Sequence, residues 1–129
     1  LMDATPHPRE HYLETARPAA PARSSTQGRA RWYRLVDTPG WPFFFVYELR
    51  FEGPGVSTLP LTHQSFIELH VTQGRVEAAF QSHRGLAQRV IVTPAHPTFL
   101  PATLPYDTMT YRARGPARLL FFSRRAQRT

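Results

Sequence analysis

Apolar and polar residues alternate along most of this chain, in short runs that glycine and proline separate. One run, PFFFVYELRFE, shows the pattern most plainly, because an aromatic or aliphatic side chain stands at every second position. Those positions are Phe43, Phe45, Tyr47, Leu49 and Phe51. A β-strand places alternate side chains on opposite faces, so we expect this set to line a core. The opposite set becomes polar toward its end, which predicts a half-buried strand.

About eight runs of this kind follow one another, and no long helical pattern lies between them. They read RWYRLVD, PFFFVYELRFE, SFIELHVTQG, RVEAAFQS, QRVIVTP, PTFLPA, DTMTYRA and ARLLFFS. The glycines and proline at 53–55 should end the second strand, and a tight turn at 73–74 should join the third to the fourth. The last two strands should form a pair around 115–116, and QSHRG should be a hairpin loop. Short strands at near-regular spacing are typical of a closed antiparallel barrel or a jelly roll, so we predict an all-β fold.

The N-terminal part has a different texture. Residues 1–30 are rich in proline, alanine and arginine. Pro18 and Pro21 block the continuation of any short helix that precedes them. We therefore expect a linker or extended arm over 1–30, a β-barrel over 31–123 and a short basic tail over 124–129.

Charge and composition narrow the possible partners. The formal net charge is +7, and all sixteen basic residues are arginine. Basic charge is typical of proteins that bind nucleic acid. These arginines are spread along the chain, however, and a GC-rich genome explains them together with the abundant alanine and proline. We expect no nucleic-acid partner. The sequence has no cysteine, which excludes disulfides and thiolate sites. No apolar run approaches the roughly 20 residues of a membrane-spanning helix, and we expect a cytoplasmic protein.

The segment LTHQSFIELHVTQG holds the densest group of metal-binding residue types. Zinc and related metals need imidazoles and carboxylates that converge from adjacent strands. Alternation places Glu68 and His70 on one face of the strand, and the more apolar face, with Ile67 and Leu69, should point inward. Glu68 and His70 then point to solvent or to a partner. His63 precedes the strand in a loop, so three ligands do not converge, and we predict no metal site.

Other catalytic patterns are missing from the sequence. No serine stands in a glycine-framed elbow, and no glycine-rich phosphate loop occurs. No pair of carboxylates suggests proton transfer. We therefore predict no catalytic residue in this chain.

Four motifs in a fixed order carry a resemblance to a known family. They are FFVYELRFEG at 44–53, SFIELHVTQG at 65–74, FLPA at 99–102 and GPARLL at 115–120. Their order and spacing resemble the cupin superfamily and, more narrowly, the C-terminal cupin domain of type I mannose-6-phosphate isomerases (phosphomannose isomerases). The resemblance covers about residues 31–123. It implies a cupin-like jelly roll of about eight strands with an extended N-terminal arm.

The resemblance also locates the metal ligands that an active cupin would carry. With the glycine at the end of the SFIELHVTQG strand as anchor, the two histidines and the glutamate of the first motif fall on Leu61, His63 and Ile67. The histidine of the second motif falls on Tyr106. Of these four positions, the one at His63 still holds a possible metal ligand. Glu68 is off by one residue, which puts it on the opposite face of the strand. The resemblance therefore implies the remnant of a metal motif.

The leading prediction for function is a non-catalytic C-terminal domain of a mannose-6-phosphate isomerase. The resemblance implies a parent that interconverts mannose 6-phosphate and fructose 6-phosphate, with its zinc and catalytic residues in an N-terminal half. This domain would pack on that catalytic half, and an apolar patch on one barrel face should mark the contact. The chain would hold no cofactor of its own and would be inactive alone.

Two alternatives stay open. The first is a stand-alone sugar-binding module whose barrel mouth takes a sugar or sugar phosphate. The residues that could line this mouth are His63, Tyr106 and Arg112. The second is a structural jelly roll whose basic arm binds nucleic acid in a salt-dependent way. That arm would carry Arg9, Arg17, Arg23, Arg29 and Arg31.

Overall fold

Antiparallel strands form the described part of the molecule. The computed structural model describes residues 17–21, 23–36, 44–61, 66–100 and 106–124. Its strands are β1 (Arg17–Pro18), β2 (Ser25–Val36), β3 (Phe44–Pro60), β4 (Ile67–Gln73), β5 (Val76–Gln81), β6 (Ala87–Val92), β7 (Thr98–Leu100), β8 (Thr108–Ala113) and β9 (Ala117–Arg124). Each predicted run overlaps one strand, and β1 is a two-residue addition. The predicted all-β class is confirmed.

The nine strands form one continuous hydrogen-bonded sheet, and the long strand β3 divides it into two parts. One of its edges pairs with β2, and its other edge pairs with β9 over residues 44–51 and with β8 over residues 55–60. From β9 the order continues to β4 and β7, and from β8 it continues to β5 and β6. We call β9, β4 and β7 with the first half of β3 the first sheet. We call β8, β5 and β6 with the second half of β3 the second sheet. The two sheets enclose one core, which confirms the predicted jelly-roll barrel.

A bulge turns β3 from the first sheet into the second. Residues 52–54 of β3 stand opposite Arg29 alone, between the paired residues on either side. Because the insertion keeps alternate side chains in phase, Phe51 before the bulge and Ser57 after it both point inward and are buried. The glycines and proline at 53–55 therefore bend the strand, and the prediction that they end it is wrong.

Glycine is required at this corner because two backbones approach each other closely. Gly28 has φ +78°, and a Cβ there would lie 2.6 Å from the carbonyl oxygen of Pro54. A Cβ on Gly55 would lie 3.0 Å from the backbone nitrogen of Ala30. Neither position tolerates a side chain without movement of the backbone. The corner is thus fixed by two residues that have no side chain.

The N-terminal strands extend into the segment for which an arm is predicted. β2 begins at Ser25, earlier than the predicted Arg31, because residues 25–28 pair with residues 55–58 beyond the bulge. β1 adds to the outer edge of β2, and the backbone N–H of Ala19 donates to the Trp32 carbonyl at 3.2 Å. Residues 1–16 and 125–129 lie outside the described residues.

Two tight turns carry the chain from one sheet to the other. Gly74 lies between β4 of the first sheet and β5 of the second, and residues 114–116 lie between β8 and β9. The predicted pairing of β8 with β9 is wrong, because each of them pairs with β3 and with one other strand instead. Gly74 has φ +79°, and a Cβ there would collide with the carbonyl oxygen of Pro116. The two turns therefore press against each other.

The predicted hairpin loop at QSHRG is confirmed. β5 and β6 pair along their length, and the backbone N–H of Ser82 donates to the Leu86 carbonyl at 2.9 Å. Gly85 has φ +86° in this loop, and no atom lies within 4 Å of the place a Cβ would take. Glycine is therefore favoured at this position by its left-handed backbone conformation and not by a lack of space.

The inward faces predicted for β3 and β4 are confirmed where the structure describes them. Their inward residues are Tyr47, Leu49, Phe51, Ile67, Leu69 and Val71. Phe43 and the side chain of Phe45 lie outside the described part. Each large apolar side chain that is fully buried contributes on the order of 1.5–3 kcal/mol to folding. The barrel is therefore stabilised chiefly by its filled interior.

Gly74 and Gly85 provide a matched test of the contact between the two turns. Gly85→Ala should lower the free energy of unfolding by about 1 kcal/mol, because only the left-handed backbone is strained. Gly74→Ala should lower it by about 2–4 kcal/mol, because overpacking against Pro116 adds to the same strain. Urea denaturation followed by circular dichroism measures both. Equal losses in the two variants would show that the turns do not press on each other.

Candidate functional site

Three positions of the cupin metal pattern face the barrel interior. Ile67 is buried at the start of β4, and Leu61 and Tyr106 pack against the core from the ends of β3 and β8. The backbone N–H of Leu61 donates to the carbonyl of Asp107 at 2.7 Å, which holds the end of β3 beside the start of β8. Leu61 is therefore a neighbour of the segment that carries Tyr106 and Asp107.

The side chains at these positions do not fit a metal ion. Zinc takes nitrogen, sulfur or carboxylate oxygen ligands, and Leu61 and Ile67 offer only hydrocarbon. Tyr106 stands where the pattern has a histidine, and its hydroxyl donates to Oε1 of Gln88 at 3.0 Å. The fourth position, His63, lies outside the described residues.

Aromatic rings occupy the middle of the core. Trp32 of β2 makes edge-to-face contacts with Tyr47, Tyr111 and Phe121, at centroid distances of 6.1, 6.0 and 6.2 Å. Edge-to-face pairs at such distances add about 0.5–1.5 kcal/mol beyond the burial of apolar area. The four rings come from β2, β3, β8 and β9, so they bind both sheets together.

Ser57, which is fully buried in this interior, has a complete set of hydrogen-bond partners. The indole N–H of Trp32 donates to Oγ of Ser57 at 2.8 Å, and Ser57 Oγ–H donates to the carbonyl of Ser25 at 2.9 Å. Oγ1 of Thr26 lies 3.1 Å from Oγ of Ser57. A buried polar group without a partner costs about 1–3 kcal/mol, so this network removes the penalty of burying an indole N–H. Its role is structural.

Tyr111 is the buried titratable group of the core. It is fully buried, and its hydroxyl lies 3.5 Å from Sδ of Met109, which is a weak acceptor. Burial raises the pKa of Tyr111 well above its ordinary value of 10.0, because the phenolate would lose its hydration. The group therefore stays neutral and serves the packing.

The rim of the barrel near Tyr106 is held by Asp107. The ring of Tyr106 lies 5.8 Å from that of Phe80, and the Asp107 backbone N–H donates to the Gln81 carbonyl at 2.7 Å. Oδ2 of Asp107 accepts from the backbone N–H of His83, also at 2.7 Å. One aspartate thus ties the β5–β6 loop to the start of β8 and positions Tyr106 at the rim.

Glu68 and His70 point away from the interior, as predicted. Their side chains are about 40% exposed, and Nε2 of His70 lies 3.3 Å from Oε2 of Glu68. The ring of His70 also contacts Phe122 edge-on at 5.5 Å. The pair therefore belongs to the outer face of the first sheet.

The other described histidines stand apart from this pair. His83 lies in the β5–β6 loop and His96 lies in the turn before β7, and both are exposed. Within the described ranges, no three histidine, aspartate or glutamate side chains lie together in a way that could hold a metal ion.

Arg112 lies on the outer side of the second sheet. It follows the inward Tyr111 on β8 and is exposed, and it lines a cavity of about 400 Å³ with Arg75 and Arg114. Tyr106, in contrast, packs on the core. The structure therefore places these two predicted ligand-binding residues on different sides of the sheet. The alternation in DTMTYRA already indicates an outward Arg112, but no sequence signal joins it to Arg75, which follows a distant turn.

No family model and no curated protein matches the sequence. Solved structures do match the fold. The polyketide cyclase RemF from Streptomyces resistomycificus superposes with a TM-score of 0.60 at 19% identity, over 95% of this chain and 80% of RemF. A cupin-2 domain of an XRE family transcriptional regulator from Enterobacter cloacae gives 0.59 at 11% identity, over 78% of this chain and 100% of that one. Oxalate decarboxylase of Bacillus subtilis gives 0.61 at 10% identity, over 100% of this chain and 38% of that one.

These likenesses define the fold. The chain has the architecture of a cupin domain, and its structural neighbours include cupin-2 domain proteins. In another oxalate decarboxylase structure the match spans 29% of that chain. Identities of this size carry no activity from one protein to the other. The comparisons support the cupin part of the resemblance and do not point to an isomerase parent. Among the described residues, no helix has the length and apolarity that crossing a membrane requires.

The buried Tyr111 predicts a specific loss of stability in alkali. Its pKa is raised in the folded state, so its contribution is intact below the unfolded pKa of about 10 and is lost as pH rises through the folded pKa. Between pH 8 and pH 11 the wild type should lose about 1.4 kcal/mol more than Tyr111→Phe. Urea denaturation of both proteins at the two pH values gives the difference. Parallel losses would contradict the assignment.

Proposed function

We propose that this chain is a degenerate cupin domain that acts by packing rather than by metal chemistry, and that it is the C-terminal domain of a mannose-6-phosphate isomerase. The observation that carries the proposal is which residues stand at the metal-ligand positions of the cupin pattern inside the barrel. Leu61, Ile67 and Tyr106 face the core, and two of the three are hydrocarbon. A reaction centre at this place would need ligands that these residues do not supply.

The filled interior supports the same proposal. Ligand sites are concave and bury most of their ligand. Here Trp32 contacts both Tyr111 and Phe121 in the core, and each of the three is at most 5% exposed. Side chains that fill a barrel in this way raise its stability and suit a domain whose task is to support another.

The outer side of the first sheet supports a docking role. Phe122 and Phe99 flank Glu68 in the strand register, and Phe66 stacks on Phe99 at 5.6 Å. We call Phe66, Phe99 and Phe122 the aromatic face. Phe99 is 59% exposed and Phe66 and Phe122 are half-buried beside it, so the three rings form a contiguous apolar patch. Large aromatic side chains are enriched where proteins bind each other. In this proposal the catalytic half of the isomerase covers the aromatic face.

A barrel of this kind also occurs inside longer chains, since the match to oxalate decarboxylase spans only 29% of that protein. The motif order at 44–120 supports a domain of a larger enzyme. In the parent, proton transfer between mannose 6-phosphate and fructose 6-phosphate would take place in the other half. The residues of this chain would contribute stability and contact area.

Rebuilding the ligand set tests the degenerate motif. The wild-type chain should retain no stoichiometric zinc after dialysis and should not isomerise mannose 6-phosphate. The triple variant Leu61→His/Ile67→Glu/Tyr106→His should bind zinc, and zinc should raise its melting temperature, because binding to the folded state alone stabilises it. The double variant that keeps Ile67 is the matched control and should bind at least tenfold more weakly.

Two results would contradict the proposal. Stoichiometric zinc in the wild-type barrel would show that other side chains form a site. Failure of the triple variant to gain zinc affinity, with its fold intact by circular dichroism, would show that the motif register is wrong. Saturable stabilisation of the wild type by mannose, lost in Tyr106→Phe, would favour the stand-alone sugar-binding module instead.

The isomerase parent makes a separate prediction about the native gene product. Its intact mass and sequence should reveal an upstream half that carries histidine, glutamine and glutamate ligands for zinc, because the proposal places the catalytic site there. Mass spectrometry of the protein from its source measures this directly. A native product that consists of the barrel alone would exclude the isomerase parent and leave the degenerate cupin.

A further inference from the structure

Three arginines gather at one end of the second sheet, on its outer side. Arg75 follows the turn between β4 and β5, Arg112 lies near the end of β8, and Arg114 lies in the turn between β8 and β9. They line one cavity of about 400 Å³. Ile91 of β6 is 39% exposed and forms an apolar wall of the same cavity.

The backbone under these arginines is fixed by two contacts. Gly74 packs directly on the carbonyl of Pro116, so the turns that carry Arg75 and Arg114 are pressed together. Arg112 pairs in register with Val56 of β3 and with Glu77 of β5, in the interior of the sheet. The relative positions of the three arginines are therefore set by the packed backbone that carries them and not by a free loop.

The cavity has an uncompensated positive charge. Glu77 is the one carboxylate among its lining residues, and Oε1 of Glu77 already lies 3.4 Å from a guanidinium nitrogen of Arg89. None of the ion pairs found in the described part of the chain includes Arg75, Arg112 or Arg114. A net charge of +7 for the whole chain adds to this local field.

A polar groove continues from the cavity across the same sheet. The groove has a volume of about 610 Å³ and shares Glu77 and Arg112 with the cavity. Hydroxyl and amide groups line it, among them Gln27, Thr58 and Thr110. Such groups suit the hydroxyls of a small polar ligand, whereas the arginines suit an anion at one end of it.

We propose that Arg75, Arg112 and Arg114 form a site for a phosphate group, either inorganic phosphate or the phosphate of a small hydroxylated ester. Phosphate fits better than a carboxylate, because it presents three acceptor oxygens and close to two negative charges to the planar forks of several guanidinium groups. The site lies outside the barrel, so it does not rest on the proposed function of the interior.

Calorimetric titration of the full chain tests the site, with inorganic phosphate, mannose 6-phosphate and mannose as the three probes. Both phosphate-bearing probes should bind, and mannose should not. Arg112→Gln and Arg114→Gln should each weaken phosphate binding about tenfold, because each removes charge-assisted hydrogen bonds. Tighter binding of mannose 6-phosphate than of inorganic phosphate would show that the groove holds the sugar.

Arg84→Gln is the matched control. Arg84 is exposed in the β5–β6 loop and does not line the cavity, so this variant removes the same charge from another place. Its phosphate affinity should stay within about twofold of the wild type at 0.15 M salt, where distant exposed charges are screened. An equal loss in Arg84→Gln, unchanged affinity in both cavity variants, or no phosphate binding by the wild type would each overturn the proposal. The zinc experiments on the interior are independent of all three results.

Discussion

The bend of β3 at residues 52–54 is the constraint on which the rest of the barrel depends. A single strand pairs with β9 before the bend and with β8 after it, so the two sheets share one continuous backbone. The bend exists because Gly28 and Gly55 let two backbones approach to a distance that a side chain would prevent. The turn of β3 around the core therefore depends on two glycines and on the extra residues that stand opposite Arg29. The hydrophobic core then stabilises a geometry that the backbone permits.

The alternation of side chains through that bend determines which residues of β3 point into the core. Because the bulge preserves alternation, Ser57 enters the interior beside Trp32, and a hydrogen-bond network is needed to satisfy it. The same alternation turns position 67 inward. A carboxylate there without a metal would be buried and unpaired, which costs several kcal/mol. The hydrocarbon side chain of Ile67 avoids that cost.

The sequence pattern predicts which side chains of a strand point inward, but it does not predict which strands pair with each other. Alternation identifies the inward residues of β3 and β4 because it depends on neighbouring residues alone. Glycine and proline at 53–55, at 74 and at 115–116 look alike in sequence, yet the first makes a bulge and the other two make crossings between sheets. Strand pairing depends on contacts between distant segments, which a single sequence does not display. The arginine cavity could not be predicted for the same reason. Arg75 and Arg114 line one cavity because their two turns pack together.

The core and the surface of this domain perform separate tasks. Side chains fill the interior where the structure describes it, and both proposed recognition sites lie on the outer sides of the sheets. The aromatic face belongs to the first sheet, on β7, β9 and the residue before β4, and the arginine cavity belongs to the second sheet, on β5, β6, β8 and the adjoining turns. A partner that covers Phe99 therefore leaves Arg112 open to solvent. An anion bound on one side and a protein docked on the other would each stabilise the folded barrel, and neither would have to displace the other.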